Sequence, residues 1–453
     1  MCYITGITFN QHKEPDMKFE ELLKQASEIV APYRRTIFIT FVTALATGGN
    51  PGRVSSIFRR FACLLIPIGV SRKKFYNFIN SPKIPWNSLW KLLATIVAPF
   101  AITEGRLLIA LDDTTYGKTG KSIAGCAKHF DHAAKQNWAK WIFGHCRVVC
   151  GILAFGHGRW MCLPFAQKSY QPLPKNIKDS KKLTRKEWLK TKSGIGASLV
   201  IKLVEMFNSP ALVVCDSWFG TKPLLDEVRN ACPHGVDILS RLRVNSTLYD
   251  MPSARKPGKR GRNRKYGEKL PPVKELAAKL KGSARTAMIH VYGKNRECLF
   301  SEVICMSGAL KRKVKVVFIY RKGNVFPLIT TDLSLSAEQC IEYYSARWKI
   351  ESGFKELKHE VGVLDSQCRN ELAVENHFNL CCFATSVAWI YALHSKTAPA
   401  RLHPTRRSNA FAFADVRRQI AAELESGIFN RGCPKTVIPA VKFICSTIFR
   451  MSA

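Results

Sequence analysis

The sequence predicts an α/β fold, a mixed sheet flanked by helices, with a helical N-terminal domain and a β-rich insertion. Three observations predict it. Two apolar runs, RLLIAL from Arg106 and ALVVC from Ala211, each end in aspartate, as strands buried on both faces would. The first hundred residues show helical spacing, whereas residues 236–335 hold mostly short β-prone runs. Finally, Ala337 to Gly362 reads as one long helix of good helix formers, with Gly362 as its stop.

At 453 residues, 46% hydrophobic and 10% aromatic, the chain can bury a large core and is not disordered. Lys and Arg number 70 against 33 acidic residues, a net charge of +37. That is too basic for an ordinary metabolic enzyme and calls for a polyanion, nucleic acid before membrane. The blander alternative is a basic ribosome-associated or merely soluble protein. The 16 cysteines are scattered through apolar runs without a C-x-x-C pair. Cys146/Cys150 and Cys381/Cys382 lack partners at zinc spacing, so buried thiols in a reducing cytoplasm are expected. The N-terminus does not read as a signal peptide, and the longest apolar run, Leu380 to Leu393, is too short to span a bilayer. No membrane partner is expected.

Taken in order, residues 1–104 form a helical, DNA-binding candidate. Within it a GGNPG turn separates two helices, and Ser71 caps a short basic helix carrying Arg72, Lys73 and Lys74. Helix, turn and basic helix resemble a helix-turn-helix arrangement, with plain helical packing as the alternative. The strand from Arg106 then ends in Asp112 and Asp113, followed by Thr114 and Thr115. Carboxylates at a buried strand end are costly unless a metal, lysine or water meets them, although a pair of aspartates can also simply turn the chain. The GKTGKS loop at 117–122 lacks P-loop spacing and follows an acidic strand end, so nucleotide binding is rejected. Lys118 and Lys121 are read as DNA-backbone contacts. His129, Asp131, His132 and His145 show no metal spacing and are read as structural.

A basic linker and an amphipathic helix lead into ALVVC, which Asp216 terminates. Residues 236–335 form the insertion. Its PSARKPGKRGRNRKYGEKL segment carries Arg255, Lys256, Lys259, Arg260, Arg262, Arg264 and Lys265, and the interleaved Gly and Pro predict a mobile, DNA-gripping loop. A solubilising surface run is the alternative. In the long helix, at about 100° per residue from Tyr344, Arg347, Glu351 and Lys358 fall within an arc of roughly 60°. Ile350, Phe354, Leu357 and Val361 form a core stripe beside them. A lone carboxylate between two cations and a tyrosine suits a metal ligand with phosphate-gripping neighbours.

These four residues match, at every spacing, the Y-x2-R-x3-E-x6-K signature of DDE transposases from bacterial insertion sequences, and the D-S-W-F-G run at Asp216 is similar to that family's second acid. The resemblance covers about residues 105–395. It implies a ribonuclease-H-like core in two parts, 105–235 and 336–396, with the insertion between them; beyond it, residues 397–453 read as a basic, partly helical region. It also implies a catalytic set of Asp112 or Asp113, Asp216 and Glu351. Both upstream aspartates align, with Asp113 slightly preferred. Three such acids can hold about two Mg²⁺ or Mn²⁺ ions. The resemblance further implies element ends and target DNA as partners, a homodimer in the synaptic complex, and a nucleoid-associated bacterial protein. Some members hold a flipped base with an inserted tryptophan. None lies here between Trp218 and Trp348, leaving Tyr249, Tyr266 or Tyr292 as substitutes. The competing classes are a non-catalytic DNA-binding regulator or decayed element product, and a structural nuclease acting on junctions or RNA hybrids.

Overall fold

The computed structural model describes residues 17–48, 52–131, 137–174, 177, 183–253, 264–404 and 410–430. Arg255, Lys256, Lys259, Arg260, Arg262 and His132 lie outside the described residues.

Five helices open the described chain: α1 (Phe19–Ile29), α2 (Pro32–Thr47), α3 (Val54–Leu65), α4 (Arg72–Ile79) and α5 (Trp86–Ala101). Ser71 caps α4 as its sequence predicts, accepting from the Lys74 N–H. Phe75, Phe78 and Ile79 turn inward from α4, while Arg72, Lys73 and Lys74 face solvent. The helices bury their apolar faces against the rest of the molecule. Phe383 stands within 5.6 Å of Phe38 and 5.4 Å of Trp90, ring centroid to centroid. One hydrophobic core therefore runs from Phe19 to Leu424.

Twelve strands form one sheet. The long strands β2 (Arg106–Gly117), β4 (Trp141–Gly156) and β5 (Arg159–Tyr170) pair antiparallel, with β4 in the middle. On its other edge β2 pairs parallel with β6 (Ala211–Cys215), and β6 pairs parallel with β7 (Val236–Arg241). Three antiparallel strands followed by two parallel ones, with helices on the faces, are consistent with the mixed ribonuclease-H-like sheet that the resemblance implies. Short β1 (Ile102–Thr103) and β3 (Ala127–Phe130) add to β2 and β4.

Residues 236–335, expected as an insertion, continue this sheet. β7 is their first strand in sequence, yet pairs with β6 of the core. β12 (Asn324–Thr330) then pairs antiparallel with β7, followed by β11 (Arg312–Arg321) and β10 (Lys294–Ser307), with β8 (Leu248–Tyr249) and β9 (Arg285–Val291) on β10. Along β11, Val314, Val316 and Phe318 enter a second, smaller core, while Val317 turns to the main one, as strand alternation requires.

Helices α6 (Arg185–Trp188), α7 (Lys192–Phe207), α8 (Lys222–Ala231) and α9 (Val273–Leu280) precede α10 (Ala337–Lys355), which crosses one sheet face and contacts strands from β5 to β9. Ser336 and Gln339 close a capping box at its start. The single helix expected to Gly362 changes character at Glu356: residues Glu356–Val361 wind as π-helix, and Gly362 ends them at φ 86°. The wider turn keeps Leu357 and Val361 buried, but 100° spacing no longer applies to Lys358. Next comes α11 (Glu371–His394), whose last turns are buried all round, which explains its uninterrupted apolar run. The last described helix is α12 (Phe413–Asn430). Among the described residues, every cysteine is a free thiol and no helix is long and apolar enough to cross a membrane.

Candidate active site

β6 ends at Cys215, opposite Leu111 of β2. The next residue after each is aspartate, so Asp112 stands beside Asp216, about 4.8 Å apart in the backbone. Asp216 follows the end of β6, but the strand expected to end at Asp112 and Asp113 runs on to Gly117, because β4 keeps pairing with it. Beyond Leu111 one edge of β2 has no strand partner, while β4 supports the other edge as far as Gly117. The acids thus sit where the sheet opens.

Each acid is held differently. Asp216 Oδ1 accepts from the N–H groups of Trp218 (2.9 Å) and Phe219 (3.1 Å), which sets the carboxylate at the start of a tight turn. Ser240 Oγ donates to the Asp216 carbonyl at 2.8 Å. Gly220 lies against Ser240 so closely that a Cβ there would collide with its side chain, which gives the D-S-W-F-G run a steric reason for its glycine. Asp112 Oδ1 accepts from the Asp113 N–H, and its Oδ2 accepts from Arg347 at 3.1 Å. Burial, with Asp216 and Asp113 nearby, pushes the Asp112 carboxyl up to about 7 despite Arg347. Arg347 also donates to Glu351 Oε1 at 2.7 Å. Its guanidinium therefore bridges the strand acid and the helix acid. Burial opposes its charge, but Tyr344, Asp112 and Glu351 hold its pKa above the ordinary arginine range.

Asp113 points to the opposite face of β2, as alternation demands. There it pairs with Lys192 at 2.7 Å and approaches the Cys146 thiol at 3.5 Å. Asp113 is thus not brought together with Asp216 and Glu351. Nothing in the local sequence separated these two neighbours, because the facing side chains come from Lys192 and Arg347, far along the chain.

Of the four helix residues, Tyr344 packs under Arg347, with the guanidinium 5.4 Å from the ring centroid. Burial raises its phenol pKa, and Arg241 lies near enough to oppose the shift. Lys358 donates to the Thr115 carbonyl at 3.1 Å, on the β2 segment beyond β6, and burial lowers its pKa. Lys118 departs from the expected role of DNA contact. It donates to the carbonyls of Leu364 and Ser366 (2.5 and 2.7 Å), strapping the segment after the π-helix to β2. Lys121, Arg264 and Lys265 are exposed. His145 holds the Ala124 carbonyl, and burial brings its pKa down to about 4. His129 is buried too. Tyr249 and Tyr266 pack on each other (4.7 Å), whereas exposed Tyr292 meets exposed Trp348 edge-on at 6.4 Å, one residue from Arg347. Sequence reasoning missed Lys192, Arg241, Trp348 and Trp218, the last exposed beside Asp216.

The donor set suits a hard divalent cation: three carboxylates from two adjacent strands and a helix, with one crowded by burial and a like charge. As arranged, no group of three or more His, Cys, Asp or Glu among the described residues stands close enough to hold an ion. The Arg347 guanidinium lies between Asp112 and Glu351 and supplies the positive charge there. A family model described as DDE superfamily endonuclease matches residues 49–296, a segment that includes Asp112, Asp113 and Asp216 and ends before Glu351. Comparison with curated proteins gives no match.

Proposed function

Because the chain belongs to the DDE superfamily endonuclease family, a family of phosphodiester-cleaving enzymes that typically use divalent metals, we propose that it is the transposase of an insertion sequence. In this reading it binds the ends of its element and catalyses cut-and-paste transposition. The observation that supports it is the pairing of neighbours at the open end of the sheet: Asp112 beside Asp216 on the adjacent strand, and Arg347 linking Asp112 to Glu351.

Asp112 is the first acid in this reading, because it shares a sheet face with Arg347 and Glu351 while Asp113 serves Lys192. Asp112, Asp216 and Glu351 would hold Mg²⁺ or Mn²⁺, which when bound activates the attacking oxygen and stabilises the leaving one. The protein groups do the rest. The Asp216 turn fixes one carboxylate against two backbone N–H groups. Arg347, released from the acids, grips a phosphate beside the scissile bond, and Tyr344 supports its guanidinium. Lys358, whose ammonium donates to the Thr115 carbonyl, neutralises the neighbouring phosphate. The exposed Arg72, Lys73, Lys74, Lys121, Arg264 and Lys265, with the basic loop, bind flanking DNA. Two protomers in the synaptic complex bring both ends together.

The test is a linear duplex carrying the sequences that flank the gene, incubated with Mg²⁺, Mn²⁺, Ca²⁺ or EDTA and sized on a denaturing gel. Cuts at the ends that need Mg²⁺ or Mn²⁺ and vanish in Asp216→Ala support the proposal. Binding without cutting points to a regulator, and cutting without end preference points to a general nuclease.

A further inference from the structure

The β3–β4 hairpin carries a surface that the cleavage site does not use. Cross-strand pairing sets Lys128 opposite Phe143 and Phe130 opposite Trp141, so all four side chains share one face. Trp141 is 60% and Phe130 40% exposed, and their rings meet edge-on at 5.4 Å. Trp138, 64% exposed, and Lys140 flank them. A concavity of about 470 Å³ is lined by Lys128, Trp141 and Phe143. Large aromatics held at a sheet edge and open to water are unfavourable unless something covers them.

The local charge says what would. Among the described residues between Gly117 and Phe143, Lys121, Lys128 and Lys140 are exposed, and Asp131 is the one acid. Exposed aromatics interleaved with lysines match a platform on which bases stack while ammonium groups follow the backbone. Alternation along β4 puts Trp141 and Phe143 on the same pleat face as Val149, the partner of Asp112. The hairpin projects about 27 Å along β4 from that pair, at about 3.4 Å per residue. Lys358 links the two places, since its ammonium donates to Thr115 and feels the Asp131 carboxylate.

We propose that the Phe130–Trp141–Phe143 face binds unpaired DNA bases, stacking a single-stranded stretch that leads away from the cleavage site along β4. This rests on the DNA reading above and adds to it a preference for unpaired over paired DNA. The test uses the full chain in EDTA, where no cutting occurs. Fluorescence anisotropy compares a blunt duplex with the same duplex carrying a single-stranded tail of about eight nucleotides. Trp141→Ala should weaken tailed DNA roughly tenfold and leave the blunt duplex within about twofold, while Trp141→Phe keeps most of the affinity. Tyr33→Ala, an exposed aromatic elsewhere, should change neither. Unchanged binding of tailed DNA by Trp141→Ala overturns the proposal, as does an equal loss on both DNAs. A lower oligomeric mass of Trp141→Ala by light scattering would instead make this face a contact between copies. If wild type binds neither DNA, the DNA reading itself fails.

Discussion

Asp112 and Asp113 are adjacent in sequence, yet a strand sends them to opposite faces, so their replacements separate cleanly. Asp112→Asn should abolish cleavage, whereas Asp113→Asn, which loses only its Lys192 partner, should cost at most about tenfold. The reverse ranking in the end-cleavage assay would move the catalytic role to Asp113. Glu351→Gln keeps an acceptor for Arg347 and should bind end DNA normally without cutting it. Any residual cutting would remove Glu351 from the set. The pH dependence follows from burial. The Asp112 carboxyl sits at about 7 in the folded protein against an ordinary 3.8. Between those values the native state binds more protons than the unfolded chain, so stability falls as pH rises from about 4 to about 7. In EDTA, the thermal midpoint of wild type should therefore drop relative to Asp112→Asn across that window and then level off. Parallel curves would show that Asp112 is ionised throughout.

At the scale of elements, the helix that carries Arg347 and Glu351 is positioned from both ends. Ser336 caps its start, and its π-helical continuation ends at Gly362, whose positive φ disfavours any side chain. A Cβ on Gly362 would also lie 2.6 Å from Asp365 Oδ2 and 2.8 Å from the Gly52 nitrogen. Asp365 accepts the Gly52 N–H at 2.7 Å, so this turn ties the helix end to the N-terminal helices. Gly362→Ala should destabilise the protein by about 2 kcal/mol or more in chemical denaturation. A loss under about 0.5 kcal/mol would mean that the turn relaxes freely. The helix stop was legible in the sequence as a glycine after a periodic run. The π-helical segment was not, because its hydrogen bonding depends on what Glu356 to Val361 pack against.

For the whole molecule, the +37 charge makes binding to any polyanion a counterion-release process. If about six to ten phosphates are neutralised, affinity for end DNA should fall roughly 10³- to 10⁵-fold between about 50 and 200 mM salt. The slope of log K against log salt measures this, and a shallow slope would argue for a small, non-electrostatic footprint. The helical N-terminal segment shares one apolar core with the sheet, through contacts such as Phe38 and Trp90 with Phe383. Its composition reads as a separate helical unit because periodicity reports local structure and carries no information about which distant surface buries it.

By itself the sequence determined the two buried strand runs that lead into Asp112 and Asp216, the acid-bearing helix with its core stripe, the capped basic helix and the basic charge, but not that β2 continues past its aspartates to Gly117. Each is written in a short window, where propensity, periodicity and capping act. Tertiary structure alone decided that Asp112 rather than Asp113 faces Glu351, that Arg347 bridges two acids and that Lys118 straps a loop. It also decided that β7 and the strands that follow it extend the central sheet. Those outcomes depend on contacts outside any short window, such as Asp112 with Arg347, 235 positions apart, and Lys118 with Leu364, 246 apart, and such pairings are fixed only when the buried faces find one another.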